Sequence, residues 1–224
     1  MVLSVDPEIR HLADELARRP EVLGVALFGS VARGDARPDS DVDMFVLVTD
    51  GTWRDVEQRG HRHVEFVFSS PESSRAFGER RPDEYVRMWQ DAQILFDKNG
   101  RMAELRQAAA DLRARGKPHL DQRSIRHRQF DAEDQLRSVR GLRATDLPAA
   151  ALVLHQHVAA LTELFFDLAR EWTPPPKGRL KRIRELNPAV AETFDHFYVL
   201  ANLDEQMQAA EAVILRLFET AEPT

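Results

Sequence analysis

The segment from Val22 to Val48 constrains this chain most. An apolar run, Val22 to Phe28, stops at Gly29-Ser30; after a ten-residue spacer, Asp41-Val42-Asp43 opens a second apolar run that reaches Val48. A short apolar run broken by glycine reads as a buried strand feeding a tight turn and a helix start. In the second run Asp41 and Asp43 fall on one face, and Val42, Met44, Val46 and Val48 on the other, the period of a strand. That spacing sets the two carboxylates about 7 Å apart along one face. Divalent cations can be shared at that range. Glycine at the turn lets backbone N–H groups approach a phosphate with no Cβ in the way.

His61 to Phe68 repeats the alternation, with Val64, Phe66 and Phe68 opposite His63, Glu65 and Val67. Glu65 is thereby a third acid on an open strand face, as a two-metal site requires. Taken singly, Asp41 and Asp43 would be a solvated strand edge and Glu65 a surface acid or a partner for Arg62. The Gly-Ser turn and the agreement between two strands favour a metal site. Arg33 and Arg37 lie near the turn and Lys177 follows a proline-rich stretch; each could clamp a phosphate, and each could equally be solvated. His61 and His63 share a strand face, whereas His155 and His157 diverge on a helix, and neither pair has zinc-site spacing. No Walker loop, dinucleotide glycine fingerprint or Gly-x-Ser-x-Gly elbow is present.

Around this segment the pattern predicts a helix over 6–18, helices over 71–80 and 82–91 opened by Pro71 and Pro82, a strand from Gln93 to Phe96 and a helix carrying Leu105 and Leu112. Beyond Gly116-Lys117-Pro118 strand signals end. Helices are expected over 119–143, 147–171, roughly 177–199 and 204–219. The expected architecture is α+β, a mixed sheet with flanking helices over residues 1–116, followed by an all-α helical bundle over 117–224.

Charge narrows the partners. Residues 1–100 carry 13 Lys/Arg against 19 Asp/Glu, and the remainder carries 18 of each. Gripping a long polynucleotide requires clustered cations, so no long nucleic acid is expected. No cysteine occurs, which excludes a thiolate nucleophile, disulfides and cysteine zinc sites. The longest apolar stretch, Ala149 to Leu154, is too short for a bilayer span, and the start lacks a signal-like h-region, so a cytoplasmic protein without membrane contact is expected.

The Gly-Ser, spacer and Asp-hydrophobic-Asp arrangement resembles the DNA polymerase beta type nucleotidyltransferase superfamily. The spelling from Gly29 to Gly34, with Ser40 directly before Asp41, is similar to minimal and aminoglycoside nucleotidyltransferases. Val64 to Phe68, the helical second half and Trp172 to Lys177 resemble the kanamycin nucleotidyltransferase branch. The resemblance implies two Mg²⁺ ions on Asp41, Asp43 and Glu65, with Glu65 assisting deprotonation. It also implies nucleotide phosphates at Gly29 and Ser30; by their positions Arg33, Ser40 and Lys177 are further binding candidates. In that branch a helical-domain glutamate is the general base; Asp131, Glu133 and Asp134 are the candidates here. The helical half is then a substrate-binding and dimerisation domain, and a homodimer is implied. The expected activity is NMP transfer, with ATP as donor, to a hydroxyl of a small, aminoglycoside-like acceptor, releasing pyrophosphate. The alternatives are an antitoxin-type enzyme that nucleotidylates a protein and a catalytically silent nucleotide-binding module.

Overall fold

The computed structural model describes residues 6–60 and 62–219. The chain divides into two compact units, Met1–Arg115 and Gly116–Thr224.

The first unit is built on a five-stranded mixed sheet. Helix α1 (Pro7–Ala17) precedes β1 (Val22–Phe28), a short α2 (Gly29–Arg33) and β2 (Val42–Val48). Then come β3 (Thr52–Arg59), β4 (Arg62–Ser69), α3 (Pro71–Arg80), α4 (Pro82–Asp91), β5 (Gln93–Asp97) and α5 (Arg101–Arg115). The strand order is β3-β4-β2-β1-β5, with β2 and β4 parallel and every other neighbouring pair antiparallel. Caps account for the helix starts: Asp6 accepts from Glu8 N–H at 2.9 Å, Ser70 from Ser73 N–H at 3.2 Å, and the Asp97 carboxylate from Met102 and Ala103 N–H.

Both faces of the sheet are covered. Ile9, Leu12 and Leu16 of α1 pack on Val42, Met44, Val46, Val64 and Phe66. On the opposite face Tyr85 and Trp89 of α4 and Met102 and Leu105 of α5 bury Ala26, Phe45 and Leu47. This corrects the expectation of one buried and one open face. Phe45 (4% exposed) and Leu47 (0%) follow Asp43 on the acid face, so the opening is confined to one end of the sheet. Helix α5 crosses close over β1: a Cβ on Gly24 would lie 2.1 Å from Met102 Cγ.

Strand β3 is absent from the sequence-based expectation. It is an edge strand, almost wholly exposed, so its alternation carries no apolar signal. Arg54 and Val56 lie on one face of it, and Trp53 stacks on Phe68 from the other.

The second unit is helical: α6 (Gln122–Arg143), α7 (Leu147–Leu168), α8 (Pro176–Leu186), α9 (Pro188–Val199) and α10 (Leu203–Glu219). The single helix expected over roughly 177–199 is two. Asn187 leaves helical backbone before Pro188 and caps α9 through Val190 N–H at 3.1 Å. Helix α7 is by length and composition long and apolar enough to cross a bilayer. Its Leu154, Val158, Leu161 and Phe166 are central to the unit's core, packed with Phe194, Phe197 and Leu217. Lys117, 8% exposed, ties the unit's first residues to the end of α7: Nζ lies 2.6 Å from Asp167 Oδ1 and 3.0 Å from Thr173 Oγ1.

Tyr85 joins α4 to α5 by donating its hydroxyl to the Leu105 carbonyl at 2.9 Å, and burial pushes its pKa from 10.0 to about 12. A folded-state pKa above the unfolded one favours the folded state below the unfolded value, and the advantage is lost as pH rises through the folded value. Tyr85→Phe is expected to cost about 1 kcal/mol at neutral pH. Urea denaturation should also show that the variant loses less stability than the parent between pH 10 and 12.

Candidate active site at the end of the sheet

The register assembles the acids. Phe28 of β1 lies opposite Asp43 of β2, and Asp43 is in turn the parallel partner of Glu65 on β4. Neighbouring strands are about 4.8 Å apart, and register partners project to the same face, so Asp43 and Glu65 are adjacent. Asp41, the expected strand start, precedes β2 by one residue and is exposed.

Gly29, the next residue after Phe28, leaves the sheet beside Asp43. Its φ is +71°, and a Cβ placed there would lie 1.9 Å from Asp43 Oδ2. Sterics exclude an L side chain twice, by backbone conformation and by the volume that the carboxylate occupies. The chain then turns through α2, whose end is fixed by Gly34 at φ +76° and by Gln93 Nε2 donating to the Ala32 carbonyl at 2.6 Å. Ser30 is half-buried, and its carbonyl accepts from Asp35 N–H at 3.1 Å.

The remaining candidates are placed as follows. Ser40 Oγ accepts from Arg37 N–H at 2.9 Å, closing the turn that leads into Asp41. Arg33, at the end of α2, pairs with Asp35 at 3.2 Å, and Arg37 pairs with Asp39 at 3.3 Å in the exposed loop that follows. Glu65 is held by Arg54 of β3 at 3.1 Å; Arg62, the partner considered from sequence, pairs with Asp6 at 3.3 Å. Arg54 and Gln93 were not foreseen. Arg54 sits on the strand that lacks an apolar signal, and the Gln93 contact spans 61 residues of sequence.

Lys177, Asp131, Glu133 and Asp134 belong to the second unit. Lys177 is exposed in the first turn of α8. The three acids are all exposed on α6, where Ala132, Leu136 and Val139 are buried; Glu133 accepts from Gln129 at 3.1 Å and Asp134 pairs with Arg137 at 3.0 Å. Among the histidines, His61 lies outside the described residues, His63 is exposed beside Glu65, and His155 meets Phe197 edge-on at 5.3 Å. His157 is partly buried between α6 and α7, and desolvation lowers its pKa.

Among the described residues, no three His, Asp or Glu side chains converge into a complete metal cage. The donor set nonetheless fits Mg²⁺, which prefers hard oxygens and is commonly held by one or two carboxylates, with water and substrate phosphates filling the other positions. The absence of a Cβ at Gly29 lets the Asp43 carboxylate lie directly against the backbone of the turn.

No curated protein matches the chain. Residues 9–89 match the nucleotidyltransferase domain family, and residues 79–178 match a domain of unknown function (DUF4037). A solved nucleotidyltransferase-like protein from Exiguobacterium sibiricum 255-15 shares the fold: the TM-score is 0.54 at 15% identity, over 94% of this chain and 73% of that one. The first match takes in β1, the Gly29-Ser30 turn, β2, β4 and all three acids, so that over these residues the chain is similar to the nucleotidyltransferase domain family.

Proposed function

We propose that this protein moves a nucleoside monophosphate, AMP from ATP, to a hydroxyl of a small acceptor and releases pyrophosphate. The observation that carries the reading is the close approach of Gly29 to the Asp43 carboxylate, with Glu65 in register on the next strand. A phosphate chain can lie against backbone there and meet carboxylates within the same few ångströms. Asp41, Asp43 and Glu65 would hold two Mg²⁺ ions. When bound, these neutralise phosphate charge and make the acceptor hydroxyl more acidic.

The residues of the chain divide the remaining work. The Gly29-Ser30 turn offers N–H groups at the start of α2 that have no intrahelical acceptor. Ser40 holds the turn that delivers Asp41 to the end of β2. Arg33 and Arg37 sit in exposed ion pairs of small net worth, so either can exchange its carboxylate for a phosphate at little cost. Arg54 orients Glu65. The acceptor oxygen attacks the α-phosphorus as the bond from that phosphorus to the pyrophosphate oxygen breaks, and the hydroxyl proton passes to a carboxylate. Glu65 is one candidate for that proton, and the exposed Asp131, Glu133 and Asp134 of α6 are the others. Lys177 is a second-unit candidate for phosphate contact. The kanamycin-like branch, a cytoplasmic location and a homodimer whose helical half binds the acceptor belong to the same reading.

Pyrophosphate release from ATP and Mg²⁺ across a panel of small hydroxylated acceptors, aminoglycosides included, tests it. Transfer only to protein would reassign the acceptor, and nucleotide binding with no release across small-molecule and protein acceptors would make this a silent binding module.

Three variants sharpen the test. Asp43→Asn should lower the transfer rate by at least about a hundredfold, as expected when a group that neutralises transition-state charge is removed; near-full transfer by that variant would sink the assignment. Glu65→Gln should lower kcat more than it raises KM for the nucleotide. Gly29→Ala should abolish transfer and weaken nucleotide binding, because its Cβ would displace the Asp43 carboxylate. Thermal unfolding of all three variants separates these effects from loss of fold.

A further inference from the structure

The acid face of the sheet is covered on one side only. Over β1 and β2 it is closed by α4 and α5, which bury Ala26, Phe45 and Leu47. Over β3 and β4 it stays open: Gln58 and His63 are exposed, and Val56 is 61% exposed. The antiparallel register sets Val56 opposite Glu65 and Gln58 opposite His63. Opposed residues lie about 5 Å apart and alternate residues of one strand about 7 Å apart, so these four positions frame a patch the size of one six-membered ring. Asp41 and His63 each directly precede the parallel pair Val42–Val64, which makes the patch continuous with the carboxylates.

In-line displacement decides what lies over the patch. The attacking and leaving oxygens stand on opposite sides of the phosphorus. Across the sheet the order is the Gly29 turn after β1, Asp43 on β2, Glu65 on β4 and Val56 on β3. Given the transfer reaction proposed above, on which this assignment rests, pyrophosphate leaves on the Gly29 side and the acceptor oxygen arrives from the β4 side. Its bond to the α-phosphorus forms as the bond to pyrophosphate breaks, and its proton passes to a carboxylate. The body of the acceptor then rests on Val56, Gln58 and His63.

We propose that Val56, Gln58 and His63 form the acceptor subsite, and that it takes a polyhydroxylated ring, a sugar or a cyclitol, with one hydroxyl presented beside Glu65. An amide and an imidazole each donate and accept, as hydroxyl groups do, so Gln58 and His63 suit neighbouring hydroxyls on the rim of a ring. Val56 offers an apolar surface to the C–H bonds of the ring face. A rigid ring also fixes its hydroxyls before binding, whereas an open-chain polyol must lose rotational freedom to match the same two partners.

The test measures pyrophosphate release by the full chain from ATP and Mg²⁺ with methyl glucoside, myo-inositol, kanamycin or glycerol as acceptor. Release with at least one ring compound and none with glycerol is expected, and the ring that carries AMP, located by mass spectrometry, tells sugar from cyclitol. Gln58→Ala and His63→Ala should each raise KM for that acceptor about five- to tenfold, the loss of one hydrogen bond, and leave KM for ATP unchanged. Val56→Ser should act in the same direction by a smaller factor. Calorimetric titration of the same ring compound without ATP or metal reads binding alone and should weaken in the same variants. The subsite is overturned if these variants leave the acceptor KM unchanged, if they raise KM for ATP as much, or if glycerol or a protein is the acceptor used. Neither release nor ring binding would overturn it as well. Ring binding that the variants weaken, with no release, would instead keep the subsite and sink the transfer reaction. All three side chains are exposed, so the variants should melt with the parent, checked by circular dichroism.

Discussion

The contact between Gly29 and the Asp43 carboxylate sets the geometry on which the rest of the first unit depends. A carboxylate oxygen fills the volume where any other residue would carry its Cβ, and φ at +71° turns the chain out of β1 at that point. The approach is possible only because Phe28 is paired opposite Asp43, which fixes the β1–β2 register. A slip of one residue would send Asp43 into the α1-facing core and bring Val42 to the turn. The parallel register of β2 with β4 then adds Glu65 beside it. One close approach between a backbone and a side chain thus goes with the register that decides which acids meet.

That arrangement is costly in a sheet buried on both faces. Behind Asp43 the same face carries Phe45 and Leu47 beneath α4 and α5, so the acids are limited to the end where the helical cover stops. Half-buried carboxylates in adjacent register repel one another and lose hydration. The fold offsets part of this with Arg54, delivered from the exposed edge strand β3 rather than from the core. Lying next to β4 lets β3 supply a cation without adding a charge to the buried interior.

Legibility in the sequence follows from which physical demand each residue answers. Gly29-Ser30 and the alternation around Asp41, Asp43 and Glu65 could be read because turn geometry and strand period are local. The α+β and then all-α architecture could be read because strand-like segments alternate with helical ones up to Gln93–Phe96 and only helical periodicity follows. Strand β3 could not: an edge strand exposed on both sides has no apolar period, and Arg54 was hidden with it. The pairing of both sheet faces was missed because Phe45 and Leu47 look like ordinary interruptions of an acid face until α4 and α5 are placed over them. Gln93 reaches Ala32 across a sequence distance that no pattern encodes. The choice among Asp131, Glu133 and Asp134 stayed open for a related reason. All three are exposed on one helix, and an exposed helical acid answers no local backbone or packing demand.

The cations of the chain can be sorted by how firmly they are engaged. Lys117 is 8% exposed and bridges Asp167 and Thr173; removing either contact would leave a buried charge, so it serves the second unit's structure. Arg33 and Arg37 pair with Asp35 and Asp39 in solvent, where such pairs contribute little and exchange readily. Arg54 falls between these cases: its guanidinium is largely exposed, yet it is the cation paired with the half-buried Glu65. Under the proposed function, a phosphate at the sheet end would therefore meet two arginines that can be recruited from weak pairs and a third whose release would uncover an acid. In a unit with an excess of acids, the proposed reaction would find the loop cations available to an anionic substrate, while the carboxylate cluster would keep its counter-charge until a metal ion replaced it.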